Sequence, residues 1–215
     1  MARYTGPRCR LCRREGMKLF LKGEKCYTPK CPFEIPDEKK RKRRTFSPGE
    51  PPKKYRSRVT NYGVQLREKQ KVKRIYGMLE NQFKNLFKKA ERMNGVTGEN
   101  LLSLLERRLD NVIFRLGLAM SRTQARQLVT HGHFIVNSRK TDIPSFLVKK
   151  GDIIEIKESS KSINAIKAAL EKEIEIPDWI KFDRKNLKAE IIDLPKRSHI
   201  SYPIEEHLIV ELYSK

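Results

Sequence analysis

Charge is distributed so unevenly along this 215-residue chain that its first two-fifths cannot be an ordinary soluble globule. The formal net charge is +22, and residues 1–92 hold 28 Lys+Arg against 9 Asp+Glu. Residues 93–158 hold 10 against 7, and residues 159–215 hold 10 against 10. A local excess of that size is poorly tolerated without a polyanion to neutralise it, so nucleic acid is the expected partner. A membrane surface is the other polyanion to weigh. No stretch approaches the roughly 18 consecutive apolar residues of a spanning helix, and MARYTGPRCR lacks the apolar core of a secretory signal. The expectation is a cytoplasmic protein with no membrane role, built as one large domain or two small ones.

All four cysteines lie in "CRLCRREGMKLFLKGEKCYTPKC". Cys9 and Cys12 form one close pair, Cys26 and Cys31 the other, with thirteen residues between the pairs. A reducing cytoplasm disfavours structural disulfides. A redox dithiol normally carries one C-x-x-C in a βαβ setting that is absent here. Two thiolate pairs on tight knuckles suit a tetrahedral ion, with Gly23 and Pro29 supplying turns. Arg8, Arg10, Arg13, Lys25 and Lys30 would lower the thiol pKa values and offset a four-thiolate charge. One structural Zn²⁺ is the leading reading, and an iron–sulfur cluster, disulfides or free thiols are the alternatives. Four protein ligands leave no open position, so such a site folds the segment and does not catalyse.

Residues 36–58, PDEKKRKRRTFSPGEPPKKYRSR, read as a solvated linker that becomes an extended arm on a polyanion. Periodicity then predicts four helices. In the first, Leu66, Val72, Ile75 and Tyr76 share one side and Arg67, Lys71 and Arg74 form a basic stripe on another. The second aligns Leu79, Phe83, Leu86, Phe87 and Ala90, and Asn94-Gly95 breaks it. A third runs from Thr97 through Leu101, Leu105, Leu109, Val112 and Leu116 to Gly117. Ser121 opens the fourth with Gln124 as a capping box, and Gly132 ends it. Arg122 and Arg126 flank its apolar face and are expected to be free for phosphate oxygens, beside Arg108 and Arg115 on the preceding helix. Strands follow at 133–137 and 153–156, with Leu147-Val148 between them. Residues 162–170 read as a helix, and 179–182, 189–194 and 207–212 as later strands.

Together the cysteine pairs, the helix QLREKQKVKRIYG, the run LLERRLDNVIFRLGLAMSRTQARQLVTHGHFIVN and the terminal ELYSK closely resemble the family of bacterial small-subunit ribosomal protein four, in its zinc-binding four-cysteine form. The resemblance implies an α+β protein. A zinc knuckle (1–35) and a basic extended arm (36–60) precede a helical domain (61–96, completed by 180–215). Into that domain is inserted a small RNA-binding module of two helices and a small sheet (97–165), followed by a connecting helix and linker (166–179). It implies Cys9, Cys12, Cys26 and Cys31 as zinc ligands. It further implies a primary binder of small-subunit ribosomal RNA that nucleates assembly of the subunit body and supports decoding accuracy beside ribosomal proteins five and twelve, where messenger RNA enters. No small-molecule substrate is expected. The RNA contacts expected are Arg3, Arg8, Arg10, Arg13, Arg14, Lys42, Arg43, Arg44, Arg67, Lys69, Lys71, Lys73, Arg74, Arg108, Arg115, Ser121, Arg122, Arg126, His131, His133, Arg139 and Lys140. In residues 37–54 a lysine-rich, double-proline run replaces the glycine-, glutamine- and histidine-containing loop of that family.

The enzyme reading rests on Arg108-Leu109-Asp110, which resembles a motif of pseudouridine synthases. Leu109 belongs to an apolar stripe, however, and the small-residue turn that follows such an aspartate is missing. Asp110 is therefore expected mid-helix in an ion pair or in solvent. No GxxxxGK[ST], GxSxG or HExxH element is present. A non-ribosomal RNA or DNA module is the other alternative, with SRTQARQL imitating a recognition helix.

Overall fold

The computed structural model describes residues 3–33, 47–49, 60–172 and 175–214. Most of the expected arm, with Lys42, Arg43 and Arg44, lies outside the described residues. In chain order the elements are α1 (Arg8–Glu15), a 3-10 turn (Gly23–Cys26), α2 (Asn61–Ile75), α3 (Glu80–Glu91), α4 (Thr97–Glu106), α5 (Leu109–Arg115) and α6 (Arg122–Thr130). Then come β1 (Phe134–Val136), β2 (Arg139–Lys140), β3 (Ile153–Ile156), α7 (Asn164–Leu170), β4 (Ile180–Asp183), β5 (Lys188–Ile191) and α8 (Glu206–Tyr213). The chain divides into two units, one of Met1–Asn85 with Pro203–Lys215 and one of Leu86–Tyr202, so the division falls within α3.

In the first unit α2 is the organising helix. The Thr60 hydroxyl caps it by accepting the Gly63 N–H at 3.1 Å, a contact of about 1 kcal/mol. Val72 and Ile75 are fully buried, as their spacing predicts. α8 packs along α2, inserting Ile209 into the same apolar layer. Phe83 of α3 stacks on Tyr213 of α8 at 6.4 Å. The expected strand at 207–212 is thus a helix. HLIVEL is too short a run to separate the two periods, and Ile209 and Tyr213, four apart, turn to one helical side. Cys9 and Cys12 also lie on a helix, α1, in place of the expected tight knuckle.

The second unit holds a five-stranded antiparallel sheet in the order β2-β1-β3-β5-β4. Its apolar core joins α5 and α6 to the sheet and to the fully buried Trp179. The strands near 180 and 190 therefore extend the module's own sheet, and only residues from 203 onward return to the helical unit. A second departure lies at Arg107-Arg108. The expected long third helix is two helices, because Arg108 is extended (φ −66°, ψ 134°). There the chain pairs with residues 146–148: Leu109 N–H donates to Phe146 O at 2.8 Å and Val148 N–H to Arg107 O at 3.0 Å. The apolar stripe gave no sign of the break, since α4 and α5 both bury it. Asp110 consequently stands in the first turn of α5, not mid-helix.

Candidate nucleic-acid interface and cysteine cleft

Most of the arginines expected to face RNA from the module are instead its internal polar frame. Arg108 donates two hydrogen bonds to Asp110, Nε to Oδ1 at 3.1 Å and Nη2 to Oδ2 at 2.8 Å. Arg126 Nη1 lies 3.6 Å from the same Oδ2, and Arg108, Asp110 and Arg126 are all buried. Arg115 grips Glu106 with two 2.9 Å bonds. Asn111 donates to Glu106 Oε2 at 2.7 Å and accepts from Arg122 Nε at 2.7 Å. Arg122 then reaches the Tyr202 hydroxyl at 3.0 Å and lies over the Phe114 and Tyr202 rings. The expectation that Arg122 and Arg126 stand free beside Arg108 and Arg115 is corrected: all four are engaged within the unit, Arg108 and Arg126 buried and Arg115 and Arg122 half-buried. Glu106 and Asp110 draw Arg108, Arg115 and Arg126 inward because a buried carboxylate needs cationic donors, while Arg122 is held by Asn111 and Tyr202.

The Ser121 cap holds more nearly as expected. Its hydroxyl accepts the Gln124 N–H at 3.3 Å, while the Gln124 side chain reaches back to the Met120 N–H at 2.8 Å and not to that of Ser121. With its side chain in the cap, Ser121 orients α6.

The same correction applies to α2. Glu15 of α1 is almost wholly buried and pairs with Arg67 at 3.3 Å and with Arg74. Burial pushes the Glu15 carboxyl up, against the opposing pull of Arg74 and Arg67. Lys69 and Lys73 hold Glu80 of α3 at 2.5 and 2.7 Å. Burial works against the Glu80 charge, but these lysines outweigh it and bring its pKa down to about 2. Tyr213 donates to Glu80 at 3.3 Å, and burial, then the Glu80 charge, raises the phenol. Lys71 pairs with Glu68 at 2.7 Å and donates to Pro203 O at 2.8 Å, and Glu68 accepts the Glu205 N–H at 2.9 Å. The expected basic stripe thus binds α2 to α1 and to the approach to α8, while Lys69 and Lys73 bind it to the start of α3.

A solvent-facing basic surface remains elsewhere. In the module, Asn137 and Ser138 both have positive φ (49° and 62°), as a two-residue hairpin turn that follows the sheet twist requires. The Asn137 amide donates to Asp152 at 2.8 Å and accepts the Ile153 N–H at 2.9 Å, which fixes the turn. This turn presents Arg139 and Lys140 to solvent. Gly132 stands beside it with φ 73°. A Cβ there would come within 2.4 Å of the Lys140 side chain, so the glycine allows that lysine to lie across it. His131 is exposed and meets His133 edge-on at 5.9 Å. Burial, then the charges of His131 and Lys157, lowers the His133 pKa. Its Nδ1 is 3.0 Å from the Ser160 hydroxyl, so His133 supplies a hydrogen bond inside the unit and not a cation at neutral pH.

Arg3, Arg10 and Arg14 are exposed at the N-terminal end, and Arg8 and Arg13 are half-buried. Arg8 lies over the Tyr4 ring at 5.4 Å. Sequence reasoning did not single out Lys84 and Lys88, four apart on α3, or Arg92 just beyond its end, all of which are exposed. That spacing was the available signal.

The four thiols come together. Arg8, Lys18, Phe20, Lys22, Pro32 and Phe33 join all four cysteines in lining one cleft. Cys12, Cys26 and Cys31 are buried, Cys9 partly so, and none is in a disulfide. Burial pushes the Cys12 thiol up, and the three other sulfurs add to the shift. Cys26 moves the same way through burial, opposed by the Lys22 N–H at 3.4 Å. Mutual destabilisation of thiolates in one cleft is the condition a bound cation relieves, and a four-sulfur donor set suits a soft tetrahedral ion. Among the described residues, the sulfurs do not form a ligand group of three or more.

Comparison with known proteins completes the site. The family described as Ribosomal protein S4/S9 N-terminal domain matches residues 3–106, and the S4 domain family matches residues 107–154. The chain is 60% identical over 215 residues to the small ribosomal subunit protein uS4 of Thermoanaerobacter sp. (strain X514). It is 57% identical over 217 residues to that of Thermodesulfovibrio yellowstonii and 56% over 216 residues to that of Clostridioides difficile (strain 630). In each case the match covers the whole of both chains.

Proposed function

The chain belongs to the uS4 family of small-subunit ribosomal proteins, and from that premise we propose how its parts serve the ribosome. It is a structural constituent of the ribosome that binds ribosomal RNA, and not an enzyme. The observation that carries this conclusion is 60% identity over the full length of a small-subunit protein. Asp110, the aspartate of the Arg-Leu-Asp run, is consistent with it: two arginines neutralise its carboxylate in the interior.

The finer reading is a primary binder that nucleates assembly of the subunit body and supports decoding accuracy with ribosomal proteins five and twelve near incoming messenger RNA. Its RNA contacts are assigned to Arg3, Arg10, Arg14, His131, Arg139 and Lys140, with α3 adding Lys84 and Lys88, and Arg92 just beyond its end. Arg67, Lys71 and Arg74 shape the surface through α2. Localisation follows as the cytoplasmic small subunit, and no helix among the described residues is long and apolar enough to cross a membrane. Cys9, Cys12, Cys26 and Cys31 would hold one Zn²⁺, whose charge stabilises four thiolates and closes the segment.

Co-sedimentation tests the first claim: the tagged chain should travel with the small subunit and bind its naked RNA in the absence of other proteins. A chain that joins only after ribosomal proteins five and twelve are present would refute primary binding. Metal analysis should return about one zinc per chain. Cys12→Ser should abolish it and unprotect amides around Arg8–Cys31 without touching those of the sheet. Metal-free protein with protected amides in that segment would overturn the zinc assignment.

A further inference from the structure

Around the second cysteine pair lies a feature that charge alone does not use. The Phe20 and Tyr27 rings stack with centroids 5.3 Å apart at 29°, yet Tyr27 is 71% exposed. A large ring is seldom left that open in a segment with little apolar surface to spare. The turn beneath it is tied down: Tyr27 N–H donates to Glu24 O at 2.9 Å, Cys31 N–H to Thr28 O at 2.9 Å, and the Thr28 hydroxyl to Lys25 O at 3.1 Å. Phe20 holds its place with a φ of 51°, a left-handed conformation unusual for a bulky residue. Lys18 Nζ lies 5.6 Å from the Phe20 ring centre, and Lys22, Lys25 and Lys30 are exposed along the same short stretch.

A rigid, flat, solvent-facing ring among lysines has the composition of a site for unstacked nucleotides. The ring takes a base face and the ammonium groups take the flanking phosphates. We propose that the Phe20–Tyr27 pair is a stacking platform for one unpaired nucleobase of the ribosomal RNA, with Lys22, Lys25 and Lys30 holding the backbone on either side. Regular duplex offers no free base face, so the ligand is a bulge, loop or junction nucleotide. The proposal rests on the ribosomal-RNA reading above and adds the place and chemistry of one contact.

Full-length protein carrying Tyr27→Leu, Tyr27→Phe or Lys22→Gln/Lys25→Gln/Lys30→Gln is titrated against a small-subunit RNA transcript over a range of salt. Tyr27→Leu should bind about tenfold more weakly, and Tyr27→Phe nearly as well as wild type, since stacking needs the ring and not the hydroxyl. The salt slope should be unchanged in Tyr27→Leu, which loses no phosphate contact, and shallower in the triple lysine variant. RNA substituted with 4-thiouridine should crosslink to Tyr27. Thermal unfolding should match wild type for both Tyr27 variants because the ring is exposed. Wild-type affinity in Tyr27→Leu, or equal loss in Tyr27→Phe, overturns the platform and leaves the ribosomal reading standing. A wild-type chain that does not bind the transcript at all overturns both.

Discussion

Replacing Asp110 with Ala should destabilise the Leu86–Tyr202 unit severely. Its carboxylate accepts the 2.8 and 3.1 Å bonds from Arg108 and faces Arg126 at 3.6 Å. All three side chains are at most 7% exposed. Truncation leaves two guanidinium charges in the interior with their common counter-ion gone. Loss of one partner from a buried pair costs about 3–5 kcal/mol, and here two cations are stranded by one change. The covalent core is untouched, so the loss is electrostatic and not a cavity effect, which for so small a side chain is minor. A few kcal/mol lowers the midpoint of a unit this size by about 10 °C or more.

Trp179 gives the assay. It is the only tryptophan in the chain, is 2% exposed and belongs to the unit's core. Its fluorescence in urea and on heating should report this unit alone. Asp110→Asn should fall between wild type and Asp110→Ala, since the amide oxygen still accepts one bond. The triple change Arg108→Met/Asp110→Leu/Arg126→Met should recover most of the loss, because apolar replacement of a whole buried ion group is often neutral or better. An Asp110→Ala protein within about 1 kcal/mol of wild type, or a triple variant no better than the single, would refute the network as described.

Glu80 predicts an acid response in the other unit. Its pKa is depressed to about 2 in the folded protein, so its contribution is present above the ordinary glutamate range and is lost as pH falls from about 4.5 towards 2. The stability difference between wild type and Glu80→Gln, read from amide exchange in α8, should shrink over that window. It should be flat from pH 6 to 8. Glu15→Gln should leave Arg67 and Arg74 without their shared charge and weaken the docking of α1 on α2 by about 1–3 kcal/mol. Loss of amide protection in Arg10–Glu15 with an unchanged sheet is the expected pattern, and uniform protection would refute it. Arg139→Gln/Lys140→Gln should weaken binding to small-subunit RNA and reduce the salt slope by about 1–2, with a Trp179 unfolding curve like that of wild type. An unchanged slope would remove this hairpin from the interface.

Period and punctuation carried much of the fold. Val72 and Ile75, Phe83 and Phe87, and Ala125 and Val129 are buried as their spacing requires, and Ser121 caps the helix it precedes. The break at Arg108 was hidden because helices on both sides of it bury an apolar stripe, and its cause is a backbone partner near residue 147. HLIVEL failed for a different reason, a run too short to hold a period. The site was legible where chemistry is local, as in the four cysteines of one cleft. It was illegible where the deciding partner is far along the chain. Arg74 meets Glu15 across 59 residues, and Glu68 meets Glu205 across 137.

That distance bears on the opening argument about charge. Counting basic residues in α2 suggests five phosphate ligands, Arg67, Lys69, Lys71, Lys73 and Arg74. All five instead close on Glu15, Glu68 and Glu80. The N-terminal unit supplies part of the polyanion its composition demands, from carboxylates of which Glu15 and Glu80 each serve two cations. Among the described residues, what faces outward is a differently placed set: the N-terminal arginines, Lys22, Lys25 and Lys30, the exposed side of α3, and Arg139 and Lys140. A phosphate approaching α2 must compete with a carboxylate already paired there, whereas one approaching Lys22 or Lys88 meets an exposed ammonium. The second encounter is the one that releases ions and drives association. The salt dependence of RNA binding should therefore follow these exposed lysines and not the total charge of the chain.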